Sequence, residues 1–151
     1  MKKITLCAFI LSALCACTDT KNSSGFEIKG TLSNSKSEPI YLEKLGQKGV
    51  DVVDSAVINE KGEFVMNSYS PSIGFYRLRL TDANFAMLVL DSGQKVNITG
   101  DARLLGNNYS VEGSPDTKLY LEYNTLAQDQ KVRTDSLENI FRTAIVTMNV
   151  H

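Results

Sequence analysis

Phe26, Ile28, Gly30 and Leu32 alternate with polar residues, the two-residue period of a strand with one buried face. Ser33 to Glu38 supplies a turn. Pro39 then opens a run in which Ile40 and Leu42 share a face, and Gly46 to Gly49 interrupts it before a third run, Val50 to Ile58. Asn59-Glu60-Lys61-Gly62 reads as a hairpin-type loop ahead of a fourth strand carrying Phe64 and Met66. Phe75 to Leu80, Phe85 to Leu90, Lys95 to Thr99 and Tyr109 to Glu112 complete the set, each bounded by Gly, Asp, Asn or Pro. About eight short strands at this spacing, in a meander-like order, predict a mainly β fold: an antiparallel β-sandwich or open barrel over residues 26–113.

From Ser114 the period changes to that of a helix. Ser114 can cap it, Pro115 suits its first turn and Asp116 favours its positive end, while Leu119, Tyr123, Leu126 and Gln130 line one face. This predicts a first helix over about 115–130. After Lys131-Val132-Arg133, Thr134 or Asp135 can cap a second helix, with Glu138 in capping-box position. Leu137, Ile140, Phe141, Ala144, Ile145 and Met148 form its apolar stripe. A stripe that apolar needs cover, from the β-domain, from another envelope protein or from a second copy of the chain. Residues 114–151 are therefore assigned as a helical extension.

The start of the chain is of another kind. Lys2 and Lys3 precede an apolar run of about 11 residues, Ile4 to Leu14, too short for the ~20 of a transmembrane helix. Residues 1–16 read as a secretory signal. Its end, Leu14-Cys15-Ala16-Cys17, resembles the bacterial lipobox, and by that resemblance Cys17 carries a diacylglyceryl group and, after cleavage, a further acyl chain on its amine. One chain holds a protein to a bilayer only marginally, so two or three make a stable anchor. Cys15 is excluded because bulky Leu14 would sit at the cleavage point. The alternative is an ordinary secretory signal cut after Ala16, with Cys17 a free thiol. Thr18 to Gly25 is polar throughout and makes residues 17–25 a flexible tether with a reach of roughly 15 Å. These features predict a lipid-anchored protein of a bacterial cell envelope, with the outer membrane favoured over the inner and the domain facing periplasm or cell surface.

Composition narrows the chemistry. All three cysteines (Cys7, Cys15, Cys17) lie in the first 17 residues, and the single histidine is His151. The folded part therefore offers no Cys-His pair, Ser-His-Asp triad, CxxC couple or Cys/His zinc site. Beyond Cys17, 14 Lys and Arg face 17 Asp and Glu, a balance that disfavours nucleic acid as a partner. Asp51, Asp54, Asp82, Asp91 and Asp101 are the candidate carboxylates, but they are scattered at strand ends, where Asp makes turn bonds, and lack the spacing of a calcium loop. The widely spaced glycines match no phosphate-binding loop. Tyr69, Phe75, Tyr76 and Phe85 suit either the core or a shallow aromatic groove. Asp54-Ser55-Ala56 and Asp135-Ser136-Leu137 resemble the O-glycosylation acceptor of some envelope proteins and flag Ser55 and Ser136. The N-glycosylation triplets at Asn97 and Asn108 are set aside, since a lipobox implies a bacterial cell. No catalytic residue, cofactor site or metal site is assigned.

The segments Phe26-Glu27-Ile28-Lys29-Gly30, Ile40-Tyr41-Leu42, Val53-Asp54-Ser55-Ala56, Lys61-Gly62-Glu63-Phe64 and Phe75-Tyr76-Arg77-Leu78 follow one another in the order of a known pattern. It continues through Leu88-Val89-Leu90-Asp91-Ser92-Gly93-Gln94-Lys95-Val96 and Tyr109-Ser110-Val111-Glu112-Gly113-Ser114. Together, over about Phe26 to Tyr123, they resemble the β-rich domain of unknown function that opens many Bacteroidota-type envelope lipoproteins. In that family a helical segment and a thioredoxin-like domain of the AhpC/TSA kind follow, the latter with a CxxC motif for thiol-disulfide exchange. The sequence reaches His151 where that domain would begin, so none of its catalytic residues carries over. Two expectations result: a non-catalytic, lipid-anchored scaffold or binding module, or the N-terminal part of a membrane-anchored oxidoreductase.

Overall fold

In the computed structural model, residues 25–148 are described; the signal, Cys17 and the tether up to residue 24 lie outside them, while Gly25, assigned to the tether from sequence, opens the first strand. Eight strands form two four-stranded sheets packed face to face: β1 (Gly25–Ser33), β2 (Pro39–Gly46), β3 (Gly49–Val57), β4 (Glu63–Tyr69), β5 (Gly74–Thr81), β6 (Asn84–Leu90), β7 (Lys95–Asp101) and β8 (Tyr109–Glu112). One sheet has the order β4-β1-β7-β8 and the other β3-β2-β5-β6. The sheets do not close into a barrel, so the sandwich is the architecture adopted.

The alternation seen in sequence places the core. Phe26, Ile28 and Leu32 of β1, Phe64 and Met66 of β4, and Val96 and Ile98 of β7 face Ile40, Leu42, Tyr76, Leu78, Leu88 and Leu90 of the other sheet, all buried. Gly30 lies directly opposite Phe64. The ring covers the space a Cβ would need, at 2.1 Å, so this inward position takes no side chain. Ile58 and Leu105, fully buried outside the strands, add to the core from the connecting segments.

Strand order departs from the expected antiparallel meander. Hairpins join β2 to β3, β5 to β6 and β7 to β8, but β1 pairs with β4 on one side and runs parallel to β7 on the other. A parallel pair needs a long crossover, and here it is the intervening chain that builds the second sheet. At the β3 and β4 edges the Asn67 amide donates to Asp54 Oδ2 at 3.0 Å, a side-chain tie between the two sheets.

The C-terminal segment corrects a second expectation. Instead of two helices there is one, α1 (Pro115–Met148). Lys131-Val132-Arg133 contains neither Gly nor Pro, and Thr134, an expected cap, turns its hydroxyl back to the Gln130 carbonyl at 3.0 Å, a bond compatible with the helix interior. Arg142 donates to Glu138 one turn away at 2.9 Å. No helix among the described residues is long and apolar enough to cross a membrane.

Candidate functional site

Where α1 leaves the sandwich, two hydroxyls fasten it to β6. Ser114 caps the helix by accepting from the Thr117 amide at 3.3 Å. Both hydroxyls donate to the Val89 carbonyl, at 2.7 Å from Ser114 and 2.9 Å from Thr117. The Val89 amide donates to Thr117 Oγ1 at 2.9 Å. Ser114 and Thr117 are buried, so this edge of β6 is satisfied by the helix start as a neighbouring strand would satisfy it. Replacing Thr117 by Val keeps the shape but leaves the Val89 amide without its acceptor. We expect a loss of about 1 to 3 kcal/mol and, in hydrogen exchange, faster exchange of the Val89 amide and of the first two turns of α1.

Above this lock, α1 and the outer face of β6 bound an open groove of about 930 Å³, lined by Phe85, Met87, Tyr109, Tyr120, Leu121 and Asn124 among others. Tyr120 meets Phe75 edge-on with ring centroids 6.3 Å apart. The Tyr109 hydroxyl donates to the Met87 carbonyl at 2.8 Å, and burial pushes its pKa up to about 12, so it is a fixed, neutral donor at the groove wall.

Beside the groove, on the same sheet face, lies an ion cluster. Glu43 is 4% exposed. In the regular antiparallel pairing of β2 with β5 it stands opposite Arg77, with Tyr41 opposite Arg79. Arg77 Nε donates to Glu43 Oε2, and Arg79 Nε donates to Oε1 at 2.7 Å. The guanidinium groups lie over the rings of Phe85, at 5.4 Å, and Tyr41, at 4.8 Å. Burial pushes the Glu43 pKa up, but the hydrogen bonds and positive charges of the two arginines outweigh it and hold the carboxyl below its ordinary value. A carboxylate kept ionised in this way orders two strands; it is poorly placed to carry a proton.

The residues singled out from sequence do not converge. Among the five candidate aspartates, Asp54, Asp91 and Asp101 accept from backbone amides within two residues, at 2.7 Å from Ser55, 2.7 Å from Ser92 and 2.9 Å from Arg103. Asp101 is drawn down to about 2, first by the Arg103 guanidinium and then by the Arg103 amide. Asp51 is exposed, and exposed Asp82 lies 3.6 Å from Arg79. No group of His, Cys, Asp and Glu among the described residues could hold a metal ion. The four aromatics divide: Tyr76 is in the core, edge-on to Phe26 at 5.2 Å and donating to Ser70 Oγ at 2.8 Å. Phe85 lines the groove, Phe75 is half-exposed beside Tyr120, and Tyr69 is exposed at the end of β4. Ser55 and Ser136 are both exposed, on β3 and in the middle of α1.

Sequence reading missed the Glu43 cluster and the second role of Ser114 and Thr117. Alternation with inward Ile40 and Leu42 signals that Glu43 sits on the outer face of its strand, but its partners depend on which strand pairs with β2.

A family model described as a domain of unknown function, DUF4369, matches residues 26–120. The chain belongs to the DUF4369 family. The match runs from the first inward residue of β1 through the lock and Tyr120. The DUF4369 domain thus includes the first turns of α1, and residues 121–148 of the helix lie beyond the matched region. No curated protein and no solved structure matches the chain.

Proposed function

We propose that this protein is a lipid-anchored, non-catalytic module of a bacterial envelope, acting as a scaffold or binding module through its projecting helix. The observation that carries this reading is the fate of α1. Its start is locked to β6 by Ser114 and Thr117, yet Leu119, Tyr123, Leu126, Val132, Leu137, Ile140, Phe141 and Val146 are exposed along the rest. A rigid domain that holds an apolar helix clear of its own surface is built to present it. Cys17, one short tether away, supplies the membrane end. In a lipoprotein-processing bacterium, the chain is expected to incorporate a labelled fatty acid and to fractionate with membranes, and Cys17→Ser is expected to abolish both. Labelling that survives Cys17→Ser would overturn the anchor, and reduction of a model disulfide by the purified chain would overturn the non-catalytic reading.

A second reading rests on the same helix. As a stiff arm about 50 Å long at 1.5 Å per residue, α1 would set a following thioredoxin-like domain at a fixed distance from the sandwich. A coding sequence that continues past His151 into a frame with a CxxC motif supports it, and one without such a frame rejects it.

A further inference from the structure

Resting on the display role of α1, we propose that the helix pairs with α1 of a second copy as an antiparallel coiled coil centred between Gln130 and Arg133. The face concerned is set by the groove. At about 100° per residue, the groove-lining Leu121, Asn124, Thr125 and Gln128 point one way, and Leu119, Tyr123 and Leu126 point the opposite way. Leu119 is 65% exposed, Leu126 65%, Leu137 67% and Ile140 64%. Among the described residues nothing covers them, and a helix fixed to β6 through its other face cannot turn them inward.

Spacings of four and three residues join Leu119, Tyr123, Leu126, Gln130, Arg133, Leu137, Ile140 and Ala144 into one seam. It covers nearly four heptads and about 39 Å, within the length from which coiled coils are recognised. The order of residues in this seam identifies the partner. Its two polar positions are adjacent at the centre, and the apolar positions are arranged symmetrically about them. Antiparallel pairing of two copies sets Leu126 against the partner's Leu137, Tyr123 against the partner's Ile140 and Leu119 against the partner's Ala144. Gln130 then meets the partner's Arg133, where its carbonyl can accept from the guanidinium. Flanking positions agree: Tyr120 comes level with the partner's Phe141, Glu122 with the partner's Thr143 and Asp129 with the partner's Ser136, with no like charges opposed.

Other arrangements are worse. A parallel pair sets Arg133 against its own copy in the seam, two cations in one layer. Sliding the antiparallel pair by one heptad sets Arg133 against the partner's Leu137 or Tyr123 and leaves the guanidinium without an acceptor. The central polar layer therefore fixes both orientation and register, the best-attested use of a buried polar pair.

The test is a full-length chain carrying Leu126→Cys and Leu137→Cys together, solubilised in detergent, mildly oxidised and digested for peptide mapping. On one straight helix these Cα atoms are about 16 Å apart, and a disulfide needs them within about 7 Å, so any link between residues 126 and 137 joins two chains running in opposite directions. We expect that link in most of the oxidised protein, and a loss of dimer mass in a separate Leu126→Glu, Leu137→Glu variant whose β-sheet circular dichroism is unchanged. Links of 126 to 126 and 137 to 137 would overturn the antiparallel arrangement. A chain that stays monomeric and unlinked at about 100 µM, well above a micromolar dissociation constant, would overturn self-pairing. Because fatty-acid labelling is read separately, a labelled but monomeric chain removes only this inference, and an unlabelled chain that cross-links removes only the anchor.

Discussion

Glu43→Gln is expected to lower the stability of the sandwich by about 2 to 3 kcal/mol at pH 7, seen as a fall in Tm of roughly 10 °C or more in thermal unfolding followed by circular dichroism. Removing one member of a buried pair costs about 3 to 5 kcal/mol because the other charge is left uncompensated. Here the arginine side chains retain 25% and 18% exposure, so water screens part of that loss. Gln fits the space but has one acceptor oxygen for two donating Nε groups, and its amide would turn an N–H toward the second guanidinium. Exchanging all three charges, as Glu43→Leu with Arg77→Met and Arg79→Met, is expected to recover most of the loss, since a buried ion cluster replaced whole by apolar groups is often neutral. The pH dependence follows from the depressed pKa of Glu43. Its contribution is complete above the ordinary value of 4.5 and is lost as pH falls through the lower folded value. The gap between wild type and Glu43→Gln should therefore be widest near neutrality and narrow below about pH 4. A gap that is absent at pH 7, or that widens on acidification, would show that the cluster does not hold the strands.

The second large effect lies at Gly113, between β8 and the helix cap. Its φ is +82°, and a Cβ there would meet the carbonyl oxygen of Lys95 at 2.0 Å. That oxygen belongs to the backbone of β7 and cannot move aside as a side chain would. Gly113→Ala is expected to cost about 3 kcal/mol or more, from left-handed strain of about 1 to 2 kcal/mol and the forced separation of strand and turn. Gly93 is the internal comparison, with φ of +80° and nothing within 4 Å of a built Cβ. Gly93→Ala should lose only the strain. A Gly113→Ala penalty at least twice that of Gly93→Ala in denaturant unfolding, together with faster exchange of the Val89 amide, is the expected outcome. Equal penalties would mean that the turn relaxes freely and does not position the helix.

How much of this could be read beforehand differs by element. The alternation of Phe26, Ile28 and Leu32, or of Phe64 and Met66, identifies a strand and its buried face because side chains in a strand alternate whatever the neighbour is. Ser114 before Pro115 marks a helix start for an equally local reason. The break expected at Lys131-Val132-Arg133 failed because capping residues such as Thr134 and Asp135 only permit a helix end, whereas Gly or Pro enforces one. The site was less legible than the fold. Glu43 meets Arg77 and Arg79 across a strand pair joining residues distant in sequence, and its outward face, set by plain alternation with inward Ile40 and Leu42, does not say which strand lies beside it.

The eight strands, their inward faces, the start of the helix and an apolar stripe on each half of it were already written in the sequence; that the two halves join into one continuous helix was not. The former are properties of local period, and local period survives in any tertiary arrangement. Only the tertiary structure decided that β1 lies between β4 and β7 with one parallel neighbour, and that an acidic side chain is buried under two arginines. It also decided that the helix is clamped to β6 by the face opposite its seam. The physical reason is the same in each case: a periodic pattern states that a surface must be covered, while the choice of cover depends on chain connections and on competition among partners far apart in sequence.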